Sequence, residues 1–148
     1  MENKKFVIVV AGYRCEQWAE KSLLSAAGQQ YDNFRVIVTN DASPDSTGNI
    51  LTETIIKNNL TNVKLINNGT RIGALHNFYN MIHSCDDQEI TIMLDLDDWL
   101  AHPNVLTNLN EIYQNENTWA TYGSYLDWPG MTKGCCKPPP FVLNGINN

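Results

Sequence analysis

Four short runs of this chain, rich in β-branched residues, alternate very little between polar and apolar. They are Phe6-Val-Ile-Val-Val, Phe34-Arg-Val-Ile-Val-Thr, Val63-Lys-Leu-Ile and Ile90-Thr-Ile-Met-Leu. A strand with so little alternation is buried on both faces. Between the runs lie stretches with apolar residues at helical spacing. Residues 16–30 carry Ala19, Leu23, Ala26 and Ala27, and residues 48–58 carry Leu51 and Ile55. Residues 74–84 carry Leu75, Phe78, Tyr79 and Ile82, and Pro103 suits the first turn of a helix through Leu106 and Leu109. Residues 119–123 read as a fifth strand. The order βαβαβαβαβ predicts an α/β domain, a mainly parallel sheet flanked by helices on both faces.

In such sheets ligands bind beyond the carboxyl ends of the strands. Four polar loops should converge there: residues 11–14, 40–45, 67–73 and 95–98. The last holds three acids in four positions, Asp95, Asp97 and Asp98. Clustered carboxylates raise one another's pKa unless a cation is present. A divalent metal at the end of a central strand explains them economically, and oxygen-only ligands suit Mg²⁺ or Mn²⁺ shared with a phosphate. The other reading is a solvated loop in which Asp98 caps a turn. Asp41 is placed either to accept a nucleobase N–H or to close an Asx-turn with Ser43. Arg71 is a base or phosphate contact, or a solvated arginine. Gly73 permits close backbone approach, or is a turn residue. Asn77, one turn into its helix, reaches sugar or phosphate if it faces the crevice. Tyr13 is either a base-stacking ring or a packing one. His76, His83 and His102 lack the mutual spacing of a metal site or triad, and Trp18 and Trp99 read as packing.

The 148 residues make one ordinary domain, and 43% hydrophobic content is enough for a core. A net charge of −6 with no basic run argues against nucleic acid as a partner. No segment approaches the roughly 20 apolar residues of a membrane span. The opening apolar run is too short for a signal peptide, so a cytoplasmic protein is expected. Cys15, Cys85, Cys135 and Cys136 form no Cys-x-x-Cys pair, and reduced thiols are expected. No Gly-x-Gly-x-x-Gly or P-loop pattern is present.

Five ordered blocks carry a resemblance. They are Phe6-Val-Ile-Val-Val-Ala-Gly-Tyr-Arg, the block from Leu23 to Val38, Asn40-Asp-Ala-Ser-Pro-Asp-Ser-Thr, Asn68-Gly-Thr-Arg-Ile-Gly-Ala-Leu-His-Asn, and Leu94-Asp-Leu-Asp-Asp-Trp-Leu-Ala-His-Pro. Together they resemble the nucleotide-binding half of family 2 glycosyltransferases, which have the GT-A fold. The resemblance implies transfer of a sugar from a nucleotide-diphosphate donor, a UDP-sugar by preference, to the hydroxyl of an acceptor glycan or other compound, with inversion. It implies that Asp41 binds the base, that Ala11, Gly12 and Tyr13 line the base pocket, and that Arg71 contacts the base. The D-x-D run Asp95, Leu96 and Asp97 would hold ribose and, through Asp97 and Asp95, Mn²⁺ or Mg²⁺.

Gly12, Arg14 and Asn40 depart from the family's threonine, asparagine and acid. The resemblance makes residues 1–125 the nucleotide-sugar-binding domain, and 126–148 an irregular tail or the start of an acceptor-side half. Family members supply the general base from that half. Asp127 is the nearest acid, and the catalytic residue is left unassigned. Two other readings stay open. One is a donor-binding module without its own base. The other is a sugar-nucleotide nucleotidyltransferase, for which Ala11-Gly-Tyr-Arg is a poor phosphate loop.

Overall fold

The computed structural model describes residues 2–134. One compact unit runs to Asn115, and a second begins at Glu116. The first unit contains, in chain order, β1 (Lys5–Gly12), α1 (Ala19–Ala27), β2 (Phe34–Asn40), α2 (Thr47–Lys57), β3 (Val63–Asn67), α3 (Ala74–His83), β4 (Glu89–Asp95) and α4 (Val105–Ile112). The four strands form one parallel sheet in the order β3-β2-β1-β4.

β1 is the centre of the sheet, and its lack of alternation has a direct cause. Phe6, Ile8 and Val10 face one core with Ala19, Leu23 and Ala26 of α1, Leu51 of α2 and Leu106 of α4. Val7, Val9 and Ala11 face a second core with Ile37, Phe78 and Met81. Each strand residue from Phe6 to Val10 is fully buried. Three helices therefore cover one face and α3 covers the other, as the patterning predicts.

At the amino edge, Glu89 ties three strands together. Arg35 of β2 donates to it twice, at 2.9 and 2.7 Å, and Lys5 of β1 lies 3.1 Å away. The Glu89 side chain is wholly buried, and the Asp86 backbone N–H also donates to it. The Arg35 guanidinium holds its carboxyl far below the usual range, at about 2.

Four expectations need correction. β4 is an edge strand among the described residues and not a central one, because β1 is its single neighbour. Its Ile90, Ile92 and Leu94 join the first core, but Met93 on the opposite face is 58% exposed. Helix α1 starts at Ala19 and not near Glu16, because the Cys15 carbonyl accepts the Trp18 and Ala19 N–H groups in a turn. The inward face of α3 is Asn77, Phe78 and Met81, while Leu75 and Tyr79 point to solvent. The start of that helix is clamped through Gly73, described below, and this fixes its rotation. Residues 119–123 form no strand. They are exposed, and among the described residues they pair with no strand of the sheet.

The second unit, as described to Gly134, contains an antiparallel bridge between Leu126 and Lys133. Asp127 lies in that turn, its N–H on the Thr132 carbonyl at 3.0 Å. Gly134 packs closely on Tyr125: a Cβ there would lie 2.1 Å from the ring as it is placed. Cys135, Cys136 and the triple proline lie outside the described residues. Cys15 and Cys85 are free thiols. No described helix is long and apolar enough to cross a membrane.

Candidate nucleotide site

The parallel register brings all four loops to one level. Gly12 pairs with Asn40, Ala11 with Asp95, and Asn40 with Asn67. Two backbone hydrogen bonds extend the ladder past the strand ends. The Asp41 N–H donates to the Gly12 carbonyl at 2.9 Å, and the Leu96 N–H donates to the Ala11 carbonyl at 3.0 Å. The end of β1 thus has Asp41 on one side and the acidic turn on the other.

Gly12 makes this arrangement possible. A Cβ on Gly12 would lie 2.3 Å from the Leu96 Cβ and 2.6 Å from its Cδ2. Leu96 is fully buried in the first core, between two exposed aspartates. Its side chain is the anchor that turns Asp95 and Asp97 outward. Beyond it, the Asp98 N–H closes a turn on the Asp95 carbonyl at 3.0 Å. Trp99 then packs on Trp18, ring centroids 5.9 Å apart, beneath the Lys21 ammonium at 3.4 Å. The Leu100 N–H donates to Ser25 Oγ on α1 at 3.0 Å. Both ends of the acidic turn are therefore fixed to the fold.

Asp41 is 2% exposed, and three neighbouring donors reach its carboxylate. Its Oδ1 accepts the Ile72 N–H at 2.9 Å and the Asn68 amide at 2.9 Å, and its Oδ2 accepts the Gly73 N–H at 2.8 Å. Burial pushes the carboxyl up, but the hydrogen bonds from Ile72, Asn68 and Gly73, with the Asn77 amide close by, outweigh it and hold the value at about 2. Asp41 is an anion across the physiological range. The Asx-type contact to Ser43 is made by Asn40, whose Oδ1 accepts the Ser43 N–H at 3.2 Å.

Gly73 has φ +88° and ψ 156°, a region that essentially only glycine enters. That geometry turns its N–H onto Asp41 and starts α3. Asn77 completes the clamp: its amide donates to the Gly73 carbonyl at 3.0 Å and its Oδ1 accepts the Asn68 amide at 2.8 Å. The Asn77 side chain is thus spent inside the protein, supporting Asp41. Asn68 is the site residue that sequence reasoning missed. Its signal was only its place in an Asn-Asn-Gly turn.

Tyr13 is half-buried, and the Arg71 guanidinium lies 3.9 Å from its ring centroid. Asp95 is exposed, yet nearby protein and then the charges of Asp97 and Asp98 push its carboxyl up. Asp98 is raised by the same partial desolvation and by Asp97. An open cavity of about 150 Å³ adjoins this turn, lined by Phe78, Met93, Leu94, Asp95 and Asp98. Exposed carboxylates that disfavour one another's charge are a donor set that fits a hard divalent cation. Among the described residues no three His, Cys, Asp or Glu side chains are grouped to hold an ion by themselves. The set therefore fits a cation that takes its other ligands from phosphate and water.

The model of Glycosyl transferase family 2 matches residues 7–135. A protein of Haemophilus influenzae described as an uncharacterized glycosyltransferase is 30% identical over 128 residues, which is 86% of this chain and 38% of that protein. Glycosyltransferase GlyA of Streptococcus pneumoniae is 27% identical over 132 residues, 87% of this chain and 18% of that one. The chain therefore spans well under half the length of either curated relative. Among solved structures, the mannosyltransferase PcManGT from Pyrobaculum calidifontis, in complex with GDP-Man and Mn²⁺, is similar with a TM-score of 0.68 at 19% identity. That likeness covers 75% of this chain and 32% of the other. Residues 1–349 of S. aureus TarS, in complex with UDP, are similar with a TM-score of 0.64 at 23% identity, covering 76% and 33%. Likeness at these identities is likeness of fold.

Proposed function

From the premise that the chain belongs to glycosyl transferase family 2 and has the GT-A fold, we propose that its carboxyl-edge crevice binds a nucleotide-diphosphate sugar. The activity it serves is transfer of that sugar to an acceptor hydroxyl, with inversion. One observation carries the reading. A buried carboxylate held by three hydrogen bonds, Asp41, and a turn that carries three carboxylates, Asp95, Asp97 and Asp98, flank the end of one strand. The first suits a base N–H, and the second suits the phosphate end of the same ligand through a cation.

In this assignment Asp41 orients the base, and Ala11, Gly12 and Tyr13 line its pocket. A uracil imide offers a single N–H donor, which matches a carboxylate with three of its acceptor positions already filled. That supports UDP as the nucleotide. Gly73 and Asn77 hold Asp41 in place, and Arg71 meets base or phosphate. Asp97 and Asp95 would hold Mn²⁺ or Mg²⁺, which when bound supplies positive charge to the diphosphate leaving group. Leu96 sets the direction of both aspartates. The general base is not assigned to any described residue.

Calorimetric titration of UDP, GDP and dTDP, with and without Mn²⁺, tests this on the native chain and on Asp97→Ala. The reading expects Mn²⁺-dependent binding of UDP that is lost in the variant. Failure of the native chain to bind any of the three with Mn²⁺ would overturn it.

A further inference from the structure

The loops that follow β1, β2, β3 and β4 hold two basic Lys/Arg side chains in all, Arg14 and Arg71. The same loops hold Glu16, Asp41, Asp45, Asp97 and Asp98. A polyphosphate entering this edge meets a strongly acidic surface, and the two arginines are the Lys/Arg charges of these loops that oppose the repulsion. Both guanidiniums gather at one ring: Arg71 lies 3.9 Å and Arg14 5.3 Å from the Tyr13 centroid. Both are exposed, and among the described residues neither is in an ion pair. Arg35, at the opposite edge, is by contrast consumed by Glu89.

Arg14 also carries backbone strain. Its φ is +59°, a left-handed conformation disfavoured for a residue with a long side chain. The surrounding loops impose it. The Arg14 N–H donates to Ser43 Oγ at 3.1 Å, and the next residue's N–H donates to Thr47 Oγ1 at 2.9 Å. Ala42, beside that serine, has φ +55°. An asparagine or glycine would sit in this turn more comfortably than an arginine does.

We propose that Arg14 is a phosphate-binding residue of the donor site, acting with Arg71 on the diphosphate of the bound nucleotide. The inference rests on the nucleotide-binding reading above. The two guanidiniums supply charge-assisted hydrogen bonds to phosphate oxygens, and Tyr13 holds them in place until the ligand arrives. The chain then separates nucleoside diphosphates from nucleosides by these arginines as well as by its acidic turn.

The test compares native chain, Arg14→Ala and Arg14→Gly. Arg14→Gly removes the charge and relieves the positive φ together, so it should fold at least as stably as the native chain in a thermal melt. Each is titrated with uridine, UMP and UDP, and with guanosine, GMP and GDP, in Mg²⁺ and again in EDTA. Both variants should lose on the order of tenfold in diphosphate affinity, less for the monophosphate, and leave nucleoside affinity unchanged. The salt dependence of diphosphate binding should also flatten. Equal losses for nucleoside and diphosphate, or no loss for the diphosphate, would overturn the role of Arg14 alone. Absence of binding by the native chain to every compound would overturn the nucleotide-binding reading and this one with it.

Discussion

Replacing Gly12 by alanine adds one methyl group, and the structure says where it must go. The new Cβ would lie 2.3 Å from the Leu96 Cβ, 2.6 Å from its Cδ2 and 3.0 Å from its Cγ. Ordinary carbon contacts begin near 3.5 Å, so the two segments must part by roughly 1.2 Å. Leu96 cannot give way freely, because it is fully buried and its N–H is bound to the Ala11 carbonyl. Overpacking of this kind costs about 1–3 kcal/mol. The displacement falls on the turn that carries Asp95 and Asp97, so Mg²⁺-dependent nucleotide binding should weaken by on the order of tenfold or more, beyond the loss of stability. Denaturant unfolding and calorimetric titration measure the two effects separately. Adding Leu96→Ala should not rescue the variant, since the shortest clash is between two Cβ atoms. Leu96→Gly should relieve it in part. Native stability and native affinity in Gly12→Ala would refute the claim that Leu96 is wedged against Gly12 to aim the aspartates.

Other perturbations have equally definite outcomes. Glu89 is held at about 2, below its ordinary 4.5, so its clamp is fully formed above about pH 4.5 and its contribution fades as pH falls toward 2. Glu89→Gln should cost on the order of 2 kcal/mol at pH 7, reduced from the full shift because Arg35 and Lys5 are partly exposed, and should flatten the acid limb of a pH–stability profile. Asp41→Asn sets an amide NH₂ against the Ile72 or Gly73 N–H. It should cost about 1–3 kcal/mol and speed hydrogen exchange at those two amides. Asn77→Ala deprives the Gly73 carbonyl and the Asn68 amide of a partner. Thermal unfolding should fall by several degrees, with nucleotide affinity reduced although Asn77 itself contacts no ligand in this account.

The sheet was legible because its central strand is buried on both faces. Nothing but two cores, one on each side, explains five consecutive β-branched or aromatic residues from Phe6 to Val10. The same reasoning misplaced β4, whose run Ile-Thr-Ile-Met-Leu is nearly as apolar but whose Met93 lies outside both cores. Apolar spacing also set the wrong rotation for α3. The helix is phased by polar bonds, with Asn77 drawn inward by Gly73 and Asn68, and Leu75 and Tyr79 left in water. The acidic turn and Asp41 stood out because charge directly after a strand is rare. What holds them did not stand out. Gly12 needs to be glycine because of Leu96, a residue on another strand's loop, and Arg14's left-handed backbone is imposed by Ser43. Such requirements arise between loops that are distant in the chain, and local pattern carries no trace of them.

The central claim is that one edge of this sheet receives a nucleotide diphosphate. Titrating UDP and Mg²⁺ into isotopically labelled chain, and following backbone amides by NMR, tests it most directly. The account predicts saturable shifts at Gly12, Asp41, Ile72, Gly73 and Leu96, with Lys5, Arg35 and Glu89 at the opposite edge unmoved. Saturable shifts confined to the Glu89 edge, or none at the five carboxyl-edge amides, would contradict it.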